Sequence, residues 1–149
     1  LSNTQKYGGG GIFNFYGISA AHNPGFTGKI YIHEFGHLLM GLGDEYVGTT
    51  AYDDTMYDKR LEPWEPNLTT LVDFNHKAWA SMIEEGVPVP TPVTEEYRDK
   101  VGVFEGGGYA AKGIYRPAQQ CLMNSFRGVE SFCPVCQQAI ESYVEFLCR

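Results

Sequence analysis

Two imidazoles and a carboxylate stand together in the run His33-Glu34-Phe35-Gly36-His37. Residues four apart on an α-helix lie on one face, one turn above each other. Two imidazoles so spaced can share one metal ion, and the Glu beside the first reaches a water held there. Nitrogen donors with room for a third ligand suit zinc and the hydrolysis of an amide by water. The competing reading is a polar helix face with two ordinary histidines. It is weakened because half of the chain's four histidines fall in this one pattern. Gly41, Gly43, Asp44 and Glu45 follow at once. Glycine accepts the left-handed backbone that ends a helix, so a reversal there returns Asp44 or Glu45 towards the pair as a third ligand.

The elements that must hold these residues are legible in outline. The pattern predicts a helix from residue 28 or 29 to residue 40, with Leu38, Leu39 and Leu42 towards a core. Gly36 inside it costs about 1 kcal/mol against Ala, which points to something packed closely there. The glycine run at residues 8–11 lacks the Gly-Lys-Ser/Thr ending of a phosphate-binding loop and reads as a flexible turn. Residues 12–18 alternate as a strand, and Asn23-Pro24-Gly25 reads as a turn. Residues 53–67 are polar and acidic. Asp53, Asp54 and Asp58 lack the spacing of a calcium loop, so a solvated loop is the reading. Residues 71–83 carry an amphipathic helical pattern, with His76 on its polar side as a surface histidine. Residues 87–92 read as an extended, proline-rich connector. Pro134 opens a last helix whose apolar positions are Cys136, Ala139, Ile140, Tyr143, Val144 and Leu147.

All four cysteines, Cys121, Cys133, Cys136 and Cys148, lie in the last fifth of the chain. An even, clustered set predicts disulfides and an oxidising compartment, with Cys121 joined to Cys133 or Cys136. Four thiolates on a second zinc fit less well, because Cys136 and Cys148 would sit about 18 Å apart along one helix. A redox role for Cys133-Pro-Val-Cys136 is also weak, since no thioredoxin-like strand precedes it.

The totals bound the function classes. A chain of 149 residues, 43% hydrophobic and 14% aromatic, can bury a true core, and one domain over residues 1–149 is expected. The formal charge of −7 argues against a nucleic-acid partner. No apolar run is long enough for a membrane span. The chain begins at Leu1 without an initiator Met or a signal peptide, so a piece of a longer precursor is expected.

Four blocks together resemble the IgA-peptidase family of zinc metallopeptidases, of metzincin type. They are the glycine-rich residues 7–16; residues 33–46; Glu65-Pro-Asn67; and a last group running through residues 104–109, 113–117, Cys121 with Met123, and 132–136. The resemblance implies an α+β, zincin-like catalytic domain: a small twisted sheet, an active-site helix and a Met-containing turn beneath one zinc ion. Met123 matches the Met of that turn. Members usually carry more sequence before the first block, which implies that an N-terminal part is missing here. Metzincins place Gly three residues after the second His and the third ligand three beyond that. Here Met40 takes the Gly position, and Gly41 with Asp44 keeps the step shifted by one. Asp44 is therefore favoured over Glu45.

The implied activity is a secreted, periplasmic or cell-surface zinc endopeptidase acting on protein or peptide. His33, His37 and Asp44 would hold the metal, and Glu34 would act as general base. Tyr115 is the candidate oxyanion stabiliser, with Tyr109, Tyr46 and Arg116 as alternatives. The rival functions are a non-catalytic zinc-containing binding domain and a zinc amidase acting on cell-wall peptides. Nothing in the residues assigns the immunoglobulin hinge as substrate.

Overall fold

The structure, a computed structural model, describes residues 1–2, 8–20, 25–73 and 79–149. Among these it is a small α+β assembly of two helices and two separate two-stranded antiparallel sheets. The first sheet is a hairpin of β1 (Gly9–Ile12) and β2 (Tyr16–Ser19), with Gly9 opposite Ser19 and Ile12 opposite Tyr16. The single strand expected over residues 12–18 is thus broken. Asn14 takes φ 54° and turns the chain, and a short polar side chain tolerates that left-handed backbone. The glycine run is not the flexible turn expected of it but supplies β1 itself.

Helix α1 (Thr27–Met40) begins within two residues of the expected start. Its buried positions Ile30, His33, Glu34 and Gly36 form one stripe, as 3.6 residues per turn requires. Gly41 closes it in the left-handed conformation, φ 61° and ψ 31°. The close packing expected at Gly36 is present. A β-carbon there would lie 3.1 Å from Met123 Sδ, 3.2 Å from Leu42 Cδ1 and 3.3 Å from Phe132 Cζ. The β1–β2 hairpin lies across the other side of α1, tied by Asn14 N donating to Leu38 O at 2.8 Å.

The aspartates of the acidic stretch lie in a surface loop, as read, whereas its far end at Asn67 is buried. Asp53 accepts from Thr49 N and Thr50 N, Asp54 pairs with Lys59, and Asp58 pairs with Arg60. The amphipathic helix over residues 71–83 is not formed where it is described. Residues 71–73 are irregular, and Ala80–Met82 is one turn of 3-10 helix. Trp79 is fully buried instead, its indole N–H on Gly102 O at 2.9 Å, so a tertiary contact overrides the local pattern. His76 and the Asn23-Pro24 part of the turn lie outside the described residues.

The second sheet pairs β3 (Phe104–Gly107) with β4 (Ala110–Arg116), with a bulge between Glu105 and Gly107. Where a small twisted sheet is expected, the described residues form two separate two-stranded hairpins, and the first of them packs on α1. Helix α2 (Pro134–Leu147) starts at its proline. Only its first turns face the core: Val135 and Cys136 are buried, whereas Val144 and Leu147 are exposed. The main core joins Leu42, Trp79, Ala118, Met123, Val135 and three cysteines. The disulfide expected between Cys121 and Cys133 or Cys136 is not formed, and all four cysteines are free.

Candidate metal centre and cleft

Helix α1 carries His33 and His37 one turn apart, and their rings meet edge to face with Nε2 atoms 3.1 Å apart. Each ring is aimed from behind by a backbone carbonyl. His33 Nδ1 is 2.9 Å from Leu122 O, and His37 Nδ1 is 2.5 Å from Leu42 O. A carbonyl only accepts, so both Nδ1 atoms carry a proton, and the Nε2 that faces inwards is the nitrogen each neutral imidazole leaves free for a metal. After the Gly41 reversal, Asp44 Oδ1 joins them, 3.1 Å from His33 Nε2 and 3.3 Å from His37 Nε2.

Three lone-pair atoms therefore converge in a site where the side chains are 7–15% exposed. One proton can satisfy only one of these pairs, and Asp44 Oδ1 is a buried atom left without a hydrogen-bond donor. A divalent cation satisfies all three. A tetrahedral zinc with bonds of about 2.0–2.1 Å spaces its nitrogen and oxygen ligands about 3.3 Å apart. The observed triangle, with sides of 3.1, 3.1 and 3.3 Å, fits that ion. Burial pushes the Asp44 carboxyl up, but the adjacent His33 and His37 outweigh it and hold it well below its ordinary value. Burial also opposes a charge on His37, and the neighbouring Asp44 carboxylate more than offsets it, raising its pKa.

Asp44 and Glu45 lie in an irregular segment after the helix, and their side chains join different groups. Asp44 faces the histidines. Glu45 is fully buried on the opposite side, against Cys136 Sγ at 3.2 Å. This split is fixed by Asn67, itself fully buried. Its Oδ1 accepts from Gly43 N at 2.7 Å, and its Nδ2 donates to Gly43 O and to Glu45 Oε1, both at 2.9 Å. Gly108 N donating to Asp44 O and Glu45 N donating to Met123 O complete the clamp. The Tyr109 hydroxyl donates to Asp44 Oδ2, orienting the carboxylate from the turn between β3 and β4.

Met123 lies in the turn that follows Cys121, where Asn124 N and Ser125 N both donate to Cys121 O. That turn offers the Leu122 carbonyl to His33 and packs the Met123 side chain under Gly36. Met123 is thus fully buried beneath the helix that bears the histidines.

His33, Glu34, His37 and Asp44 all line one cleft of about 670 Å³. Glu34 is buried, and desolvation raises its pKa above the ordinary 4.5 against the pull of both histidines. Strand β1 roofs it. A β-carbon on Gly9 would fall 2.4 Å from Glu34 Oε1, and one on Gly11 would fall 2.5 Å from Glu34 O. Tyr46, Tyr57, Trp64 and Tyr109 also line the cleft. Tyr115 does not. It sits on β4 with its backbone paired to Thr69 at 2.8 and 3.0 Å. Arg116 is likewise turned away, its Nη1 donating to the carbonyls of Glu105 and Gly106. Sequence reasoning gave no role to Gly9, Gly11 or Asn67. For Asn67 the only signal was its place in the Glu65-Pro-Asn67 block.

A family model described as IgA Peptidase M64 matches residues 1–100 and 93–144, nearly the whole chain. No curated protein matches it.

Proposed function

The chain belongs to the IgA Peptidase M64 family, a family of metallopeptidases, and from that premise we propose that it is a zinc-dependent endopeptidase of metzincin type. The observation that carries the reading is the convergence of two bare imidazole nitrogens and an orphaned carboxylate oxygen beside a buried Glu in an open cleft. His33, His37 and Asp44 would hold the ion, which when bound acidifies water and polarises the scissile carbonyl. Glu34 takes the proton of the attacking water and delivers it to the leaving amine, and its raised pKa brings it closer to that two-way task.

The other side chains have narrower tasks. Leu122 O and Leu42 O fix the tautomers of the two histidines, and the Tyr109 hydroxyl fixes the rotamer of Asp44. Tyr46 is half-exposed at the cleft, its ring centroid 5.1 Å from that of Tyr109. It, rather than Tyr115, is the donor for the oxyanion. The Met123 side chain under Gly36 serves as the floor of the metal centre. The substrate is a peptide segment laid along the cleft beside β1, with the aromatic Trp64 and Phe13 on its wall.

The test is Glu34→Ala with a chelator control on an unstructured protein substrate such as casein. Hydrolysis should vanish in the variant while zinc stays bound at wild-type stoichiometry. Full residual activity in Glu34→Ala would sink the mechanism. Turnover of peptidoglycan fragments without turnover of peptides would favour an amidase instead.

A further inference from the structure

A second group of metal-ligating side chains lies behind the cleft, on the far side of the Asp44-Glu45 segment. Cys121, Cys133, Cys136 and Glu45 are all buried, and one ligand atom from each lies within 4.8 Å of every other. Cys121 Sγ and Cys136 Sγ are 3.7 Å apart. A disulfide would hold them at about 2.05 Å. A tetrahedral zinc with Zn–S bonds of about 2.3 Å separates two thiolates by about 3.8 Å, and a thiolate from a carboxylate oxygen by about 3.5 Å. Glu45 Oε1 lies 3.2 Å from Cys136 Sγ and 3.9 Å from Cys133 Sγ, either side of that value.

Backbone donors hold one of the sulfurs as an acceptor. Backbone N–H groups of Cys133 and Met123 point at Cys121 Sγ, at 3.3 and 3.5 Å, where a neutral sulfur would be a weak acceptor. Glu45 is fully buried, and its Oε2 has no hydrogen-bond partner. Arg116 donates to backbone carbonyls and forms no ion pair with Glu45 among the described residues. An unpaired carboxylate in such a place is costly unless a cation sits beside it. Three soft sulfur donors with one oxygen select zinc over magnesium or calcium.

We propose that Glu45, Cys121, Cys133 and Cys136 form a second zinc site, a closed structural one that ties the start of α2 and the Met123 turn to the segment presenting Asp44. All four positions are filled by protein, so it takes no water and does no hydrolysis. Its existence does not rest on the peptidase reading, because none of its ligands lines the cleft.

The experiment is elemental analysis of the purified chain beside His33→Ala/His37→Ala and Cys133→Ser/Cys136→Ser. Wild type should carry two zinc ions and each double variant one. Should the cysteine variant fail to fold, the histidine variant decides alone. After loading with Co²⁺ it should show a thiolate-to-cobalt charge-transfer band, and a mercurial should release its one zinc. A histidine variant without zinc overturns the proposal. Unfolding under non-reducing conditions then separates the two replacements: four titratable thiols mean a plain thiol cluster, and two or fewer mean a disulfide. Two zinc ions in a protein inert towards peptides would refute the peptidase reading and leave the second site standing.

Discussion

The glycines of β1 give the sharpest separation of activity from stability. Gly9, Gly10 and Gly11 have no positive φ, so the backbone accepts alanine at each, and only the room for a methyl group differs. At Gly10 nothing lies within 4 Å. There Gly→Ala should be neutral or stabilise by up to about 1 kcal/mol, through the unfolded chain. At Gly9 the new β-carbon would meet Glu34 Oε1 at 2.4 Å, Cγ at 2.6 Å and Cδ at 2.7 Å. A side chain can rotate away, so the carboxylate must move by about 1 Å while the helix stays put. Misplacement on that scale costs on the order of 100-fold, about 2.7 kcal/mol of transition-state stabilisation. At Gly11 the obstacles are Glu34 O at 2.5 Å and His37 Cβ at 2.7 Å, which are parts of the helix itself. The strand must lift, and overpacking of this kind costs about 1–3 kcal/mol of stability. Peptide hydrolysis and thermal unfolding on the three variants measure both quantities. Gly9→Ala should lose kcat with little change in Tm, and Gly11→Ala should lose Tm. Equal kcat/KM in Gly9→Ala and Gly10→Ala would refute the placement of Glu34 under β1.

Two further outcomes follow from single side chains. Asn67→Ala strips partners from Gly43 N, Gly43 O and Glu45 Oε1, all in the buried clamp, and should destabilise by about 2–4 kcal/mol in chemical denaturation. Loss of less than about 1 kcal/mol would mean that the clamp is not what holds the Asp44 segment. In metal-free protein, Glu34→Gln should raise stability at neutral pH. Burial raises the folded-state pKa of Glu34 above 4.5, so the native state binds more protons than the unfolded one. Wild-type stability therefore falls as pH rises from 4.5 through the raised value, and the advantage of Gln opens over that window. Unfolding curves at several pH values check it, and an advantage that grew towards low pH would contradict the sign.

What could be read from the sequence was what depends on near neighbours. The spacing of His33 and His37, Gly41 as the helix stop and Pro134 as a helix start each follow from local backbone rules, and each element appears within two residues of its expected place. What could not be read depends on contacts far along the chain. The glycine run looked flexible because its reason for being glycine, the surface of α1 packed directly against it, lies a hairpin and a turn further on. Residues 71–83 kept a helical pattern, yet Trp79 is drawn into the core by Gly102 O and the pattern is not realised where described. The disulfide failed for a similar reason. Clustered cysteines signal proximity, and the three that do cluster meet a carboxylate from residue 45 that no local rule connects to them.

That carboxylate also recasts the choice between Asp44 and Glu45. Posed as alternatives for one metal ion, they compete; in the structure they do not, because the two side chains join different groups of ligands. Asp44 meets two imidazoles and opens on the cleft, and Glu45 meets three sulfurs in a closed core. One peptide link therefore joins the two groups, and Asn67 grips it from the side through Gly43 and Glu45. A zinc ion in the closed site would bear on the open one mechanically. Anything that loosens Glu45 from the cysteines shifts the backbone carrying Asp44, and the triangle of donors that Asp44 completes has sides of only 3.1 to 3.3 Å. Even a small displacement is a large fraction of that. The buried sulfurs should therefore matter to hydrolysis although none of them lines the cleft.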